Sequence, residues 1–348
     1  MVAPFLPGSW WHQGIVAVFN GHYAVDVFFV LSGFVLTNMV RDFSGPHYLA
    51  YLGRRLLRLY PPMWASLLVA YVAIVAAHGL PCHEGCGFVE KPSGFYDTIK
   101  SILPVDYRMN PVLWSIRYEI EASLLYPFVL LLWRRSSHAW RITIIAAAVL
   151  LTCVSSDGFV DPPHYMLLFV GMPHFLLLFI VGIAISDYRL SRHEGAALAV
   201  GIGLLFISGF FFRGHTGVDD LIATISAAAL ISVVAYRCPS WLGAVLDNRA
   251  ILKLGEISYS YYLLNAIALW IIVREMVFVS PLADFVVHAL SAAVLTAAAA
   301  YGMNKAIEKP SIRYSRQLET RILAAFSSFR SSRWPARFPV LDPPDFLI

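Results

Sequence analysis

Three ionisable residues, Arg117, Glu119 and Glu121, stand inside one largely apolar stretch, WSIRYEIEASLLYP (Trp114–Pro127). Charged groups within a membrane-length apolar run are costly, and each marks a candidate for function. At helical spacing Arg117 and Glu121 share a face and read as an i,i+4 ion pair. Ser115, Glu119, Ala122 and Tyr126 share another face. Glu119 therefore lacks a local partner and must meet one from another helix or a water-filled cavity, which makes it the leading catalytic candidate. Asp26 lies inside a second run, GHYAVDVFFVLSGF, one helical turn after His22. That spacing suits an imidazole oriented by a carboxylate as a base, or else a wetted histidine at an interface.

Two further stretches carry chemistry. YLGRRLLRLYPPMW places Arg54, Arg55 and Arg58 together before a Pro-Pro pair. Arg55 and Arg58 are expected to project from one side of a short helix ending at Pro61. They serve either as topology-setting charges next to headgroups or as a bidentate clamp for phosphates. GEISYSYYLLN puts Ser258, Tyr262 and Asn265 on one face, with Tyr259 nearby. An interfacial aromatic belt accounts for the tyrosines, whereas Asn265, an amide in an apolar run, needs a partner. The sequence contains no phosphate-binding glycine loop, no zinc-ligand spacing, no GxSxG elbow and no N-x-S/T sequon.

The elements that must position these residues follow from composition. Of 348 residues, 58% are hydrophobic and 14% charged, with mean hydropathy +0.66; soluble domains carry about 25% charged residues. This excludes a soluble multidomain enzyme, a disordered chain and a nucleic-acid binder. Nine apolar segments approach the roughly 17–25 residues of a membrane helix. They lie near Val25–Val40, Pro62–Ala77, Trp114–Leu132, Arg141–Val154, Tyr165–Ile185, Ala196–Phe212, Leu221–Tyr236, Ile257–Val273 and Phe285–Met303. The expected fold is an all-α polytopic bundle, because helices satisfy their own backbone in lipid. Residues 1–24 form an outer segment, 25–303 the transmembrane core and 304–348 a basic amphipathic tail.

The formal charge of +4 is mostly topology. Alternate loops and the tail hold 20 of the 26 Lys and Arg residues, so the tail is expected in the cytoplasm of a cell inner membrane. The tail stretch Ser311–Phe329 mixes basic residues with Ile322, Leu323 and Phe326 and is expected to lie along anionic lipid. Cys82 and Cys86 in an outer loop suit a small disulfide. Cys153 and Cys238 read as buried or cytosolic free thiols.

Five segments together resemble the membrane acyltransferase 3 family, whose members O-acylate carbohydrates. They are Gly21–Phe34, Gly53–Trp64, Leu113–Pro127, Leu254–Asn265 and AIEKPSIR (Ala306–Arg313), in the family's order. The resemblance implies a multi-pass enzyme moving an acyl group, usually acetyl, from acyl-CoA to a hydroxyl of a glycan or glycolipid. Acyl-CoA is then a donor substrate, and no cofactor is bound permanently. The family's motif positions fall on Asp26, Arg55, Arg58, Trp114, Glu119 and Tyr259. Arg55 and Arg58 would hold the CoA phosphates. Glu119 and Asp26 would orient a histidine or bind sugar hydroxyls, with Trp114, Tyr259 and Asn265 near the acceptor.

Two departures from the family pattern stand out. The family has an additional first helix with an arginine and a catalytic histidine, which nothing in residues 1–20 matches. Asn265 stands where the family often has histidine. The expectation is a chain shortened by a misassigned start; the alternatives are a natively reduced, inactive chain and, less favoured, His22 as a replacement base. The rival readings are a transporter of a glycan or lipid precursor and an inactive partner of a complete paralogue.

Overall fold

The computed structural model describes residues 21–40, 44–77, 89–155, 172–188, 197, 200–204, 217–236, 238–275 and 281–333. These form helices α1 (Gly21–Met39), α2 (Gly45–Ala76), α3 (Phe95–Ile102), α4 (Leu113–Arg135), α5 (His138–Ser155) and α6 (Met172–Tyr188). They continue with α7 (Gly217–Tyr236), α8 (Ser240–Leu246), α9 (Arg249–Glu275), α10 (Pro281–Met303) and α11 (Lys309–Arg333). No strand occurs among the described residues. Gly45–Ala76, Val218–Tyr236, Arg249–Val273 and the stretch Val286–Phe326 are long and apolar enough to cross a membrane, and three shorter apolar helices accompany them. The chain is a multi-pass, all-α membrane protein. Eight of the nine expected segments are helical over their described residues, Tyr165–Ile185 from Met172 onward; most of Ala196–Phe212 lies outside the described residues, as do Cys82 and Cys86.

Contacts across the bundle confirm the up-and-down order of its first half. Arg134, late in α4, donates to the carbonyls of Thr37 and Val40 at the end of α1. Trp133 reaches Asp187 at the end of α6, and Arg141, early in α5, pairs with the same carboxylate at 3.7 Å. Tyr236, at the end of α7, donates to Ile185. One end of the bundle therefore gathers these basic loops, and this is called the basic end below.

Helices in lipid gain little from the hydrophobic effect, so close approach through small residues holds them together. Gly33 of α1 and Gly182 of α6 show this. A Cβ on Gly33 would strike the backbone of Phe179, and one on Gly182 the backbones of Val30, Gly33 and Phe34. Phe29, Phe175 and Phe179 interlock beside this crossing at ring separations of 5.3–5.4 Å.

α2 departs most from expectation. It does not end at Pro61 but runs on through Pro61 and Pro62 to Ala76. Each proline lacks an N–H, so Pro61 frees the carbonyl of Leu57 and Pro62 that of Arg58. The structure supplies a replacement for the first of these from a distant segment: Ser311 of α11 donates to the Leu57 carbonyl at 2.7 Å. Tyr259 of α9 adds a bond to the Leu59 carbonyl in the same turn at 2.8 Å. Ser311→Ala should leave a buried carbonyl unpaired and cost about 1–3 kcal/mol. Ser311→Thr, which keeps the hydroxyl, should recover most of it, as measured by thermal unfolding in detergent.

The tail also differs from expectation. α10 continues through a π-helical turn (Asn304–Glu308) into α11. The apolar side of α11 covers α2 rather than lying only on lipid, with Leu318 and Ile322 seated on Gly53. Arg54 pairs with Glu319 across this contact at 3.1 Å. Gly53 lets the two helices approach, and that contact holds Ser311 over the proline break. Phe326 remains exposed.

Candidate functional site

α4 has three stripes set by its 3.6-residue period. Tyr118, Ala122, Tyr126 and Leu130 join a core with α1 and α6. Leu113, Ile116 and Ile120 join a second core with α2 and α9. Between them run Ser115, Glu119 and Ser123, all buried. A polar stripe between two apolar ones is confined to the seam where the two cores meet, and the site lies on that seam.

Glu119 finds its partner there. Arg55 of α2 forms an ion pair with its Oε1, and both side chains are almost wholly buried. Ser32 of α1 donates to the same oxygen at 3.1 Å. Arg55 Nε also donates to Ser123 Oγ at 3.0 Å, and Ser123 Oγ donates back to the Glu119 carbonyl at 2.7 Å. Three helices are thus tied by one carboxylate. Its second oxygen, Oε2, is buried and accepts no hydrogen bond from the described residues.

This cluster forms the polar end of a cavity of about 300 Å³ between α1, α2, α4 and α9. Arg58, Ser258, Tyr259 and Tyr262 complete the polar lining, and Phe28, Leu31 and Val35 of α1 form an apolar wall. Arg58 is exposed at this opening and lies in the field of Glu119 and Glu308. Tyr262 shares a hydrogen bond with Ser115 at 2.7 Å. The arrangement offers a carboxylate oxygen for a proton, a cation for a developing negative charge, and a slot for an apolar chain.

The sequence-derived candidates divide clearly. Arg55, Arg58, Glu119 and Tyr259 meet at the cavity, as do Ser258 and Tyr262. Arg55 is buried within the bundle. Ten residues of α2 precede it, about 15 Å of helix, because the helix starts at Gly45. Arg55 is therefore spent on Glu119, and Arg58 is the cation open to a ligand. Asp26 is buried in the field of Asp220 from α7 and is not part of the cavity lining. Trp114 stacks near Tyr118 and Phe175 instead of lining the cavity. Asn265 is half-buried, one turn beyond Tyr262 and also outside the lining. His22 lies in α1, and its side chain is outside the described residues. Arg117 and Glu121 form the expected i,i+4 pair at 2.9 Å, buried and away from the cavity. Cys153 and Cys238 are exposed thiols outside any disulfide, not buried.

Several residues escaped the sequence reading. Ser32 and Ser123 complete the carboxylate's surroundings, and Ser123 was findable as the residue one turn beyond Glu119. Glu308, buried in the π turn, accepts from Ser260 and, at 2.9 Å, from Asn304. Its signal was an acidic residue inside AIEKPSIR. Asn110, fully buried, donates to Ser66 and to the Leu263 carbonyl, joining the start of α4 to α2 and α9. No group of three or more His, Cys, Asp or Glu residues suited to a metal occurs among the described residues.

Comparison with known proteins adds independent weight. The family profile described as "Acyltransferase domain" matches residues 1–305. A protein of Bacillus subtilis (strain 168), "Putative peptidoglycan O-acetyltransferase YrhL", is 23% identical over 285 residues, covering 70% of this chain and 43% of that protein. The chain thus spans less than half the length of that relative. No solved structure matches it. Four of the five motifs line one cavity of a membrane helix bundle, and the profile runs through the same four entirely, so the chain belongs to the membrane acyltransferase 3 family.

Proposed function

We propose that this protein is a membrane O-acyltransferase that moves an acyl group, acetyl in the simplest case, from acyl-CoA to a hydroxyl of a cell-envelope carbohydrate. The observation that carries this reading is Glu119, fixed by Arg55 and Ser32 through one oxygen while the other, buried at the cavity wall, has no hydrogen bond from the described residues. Family membership supplies the reaction class, and the B. subtilis relative's name points to peptidoglycan as an acceptor to test first.

The chemistry assigns one role to each group. The sugar hydroxyl oxygen attacks the thioester carbonyl carbon, forming the C–O ester bond as the C–S bond breaks. The hydroxyl proton passes to Glu119 Oε2 and ends on the departing thiolate. Arg58 stabilises the oxyanion that forms on the carbonyl oxygen. Arg55 and Ser32 keep the carboxylate aimed, so the geometry exists before substrate arrives. In this reading the donor approaches from the basic end, the cytoplasmic side of a cell inner membrane, and the acceptor from the opposite side.

Purified protein in vesicles with radiolabelled acetyl-CoA and peptidoglycan fragments or total envelope glycan tests this. Alkali-labile label on the glycan is the expected result, because an O-ester hydrolyses where an amide does not. Arg58→Ala should lower kcat by about 10²–10³, the scale of losing one oxyanion donor. Absence of ester-linked label from wild-type protein with any glycan fraction overturns the assignment.

A further inference from the structure

The short helix α3 is turned the opposite way from a helix on a watery surface. Phe95, Tyr96, Ile99, Ile102 and the following Leu103 fall within an arc of about 120° at 100° per residue. All five are exposed, Phe95 at 82% and Tyr96 at 70%. The polar side faces the protein. Ser101 is 2% exposed, and Asp97 accepts from Ser93 and pairs with Lys100 at 3.6 Å and Arg108 at 3.4 Å. A helix bordering water buries its apolar stripe and wets the polar one, so the medium against α3 is apolar.

The neighbouring helix shows what that medium is. Trp64, Leu68, Tyr71, Val72 and Val75 form one exposed apolar stripe along α2. α2 is long and apolar enough to cross a membrane, so this stripe faces lipid. The Trp64 indole donates to the Ile102 carbonyl at 3.1 Å and joins the stripe to α3. From Trp64 the stripe carries on for eleven residues to Val75, about 16 Å of helix. Lipid therefore extends past the level at which α3 touches α2. The flanking chain agrees. Val89 packs with Ala73, Ala77 and Trp270 toward the ends of α2 and α9, whereas Asn110 reaches Ser66 and the Leu263 carbonyl well inside both.

The charges of the segment also suit an immersed position, where an unpaired charge is costly. Residues 93–110 contain four, Asp97, Lys100, Asp106 and Arg108. Arg108 bridges Asp97 and Asp106, and Lys100 pairs with Asp97 and lies 4.1 Å from the centre of the Tyr96 ring. Two cations and two carboxylates thus neutralise one another on the protein side of the helix.

We propose that α3 is an in-plane membrane helix whose apolar face lies in the lipid leaflet opposite the basic end, with lipid acyl chains as its partner. The chain leaving α3 passes through Asp106 and Asn110 straight into α4, so this anchor supports the start of the helix that carries Ser115 and Glu119. The assignment is independent of the acyltransferase reading.

The test uses the full chain in phosphatidylethanolamine–phosphatidylglycerol vesicles, with Phe95 replaced by a small fluorescent amino acid. Doxyl groups on the lipid acyl chains should quench the label by about half or more, as expected of an apolar face inserted below the headgroups, while aqueous iodide leaves it nearly unchanged. Unfolding temperature and gel-filtration profile establish that the variant folds, and the same label at Ile99 serves if it does not. Quenching by iodide without quenching by doxyl lipid overturns the proposal, because the face is then in water. Protection from both quenchers also overturns it, because the face is then covered by protein, a second copy of this chain in a pure preparation.

Discussion

Arg55→Ala should abolish transfer and destabilise the protein by about 3–5 kcal/mol, the range for removing one partner of a buried ion pair. The large value comes from what is left behind. Glu119 is 1% exposed, and without Arg55 its charge would have only Ser32 donating to it. Arg55→Lys should restore little, because the guanidinium reaches Ser123 and Glu119 at once through Nε and Nη2, and a single ammonium does not reproduce that fork. The informative control is the double replacement Arg55→Leu with Glu119→Leu. Removing both charges should return stability to near wild type while transfer stays absent. Thermal unfolding in detergent, run beside the labelled-acetate assay, separates the two roles. A double variant as unstable as Arg55→Ala would mean that the pair's contribution is not electrostatic.

The second large effect is expected at the α1–α6 crossing. Gly182→Val places a branched side chain against the backbone of α1, where even one Cβ collides with Val30, Gly33 and Phe34. Overpacking typically costs about 1–3 kcal/mol, and here the obstacle is backbone, which cannot rotate aside. α1 must shift, taking Ser32 away from Glu119, so kcat should fall even in the fraction that folds. Gly255→Ala and Gly302→Ala are the matched controls. Both glycines lie in helices with open space around the added Cβ. These should be neutral or stabilising by up to about 1 kcal/mol through helix propensity. Equal unfolding temperatures for Gly182→Val and these controls would contradict the packing argument.

Much of the architecture was legible in the chain itself, for a reason specific to membranes. A backbone in lipid must satisfy its own hydrogen bonds, so apolar run length reports helices directly, and eight expected segments appear as such. Loop charge likewise reported which helix ends lie together, as Arg134 and Arg141 show. Glu119 was legible as a group that needed a partner from elsewhere, and Arg117 with Glu121 as a local pair. The end of α2 was misread, because a Pro-Pro pair normally stops a helix. The hydroxyl of Ser311, 254 residues beyond Leu57, supports its continuation by taking the carbonyl that Pro61 frees.

The sequence by itself determined the class of molecule, the positions of its spans, the sidedness of its charge and the residue types that carry chemistry. Each of these depends on local composition and helical period, which one dimension records. The tertiary structure alone decided which candidates meet. It brought Arg55 to Glu119 and Arg58 to the cavity. It turned Asp26 toward α7 and set Trp114 among aromatic rings. Those outcomes depend on how helices rotate and cross. That rotation is fixed by contacts such as Gly33 against Gly182, between residues far apart in the chain.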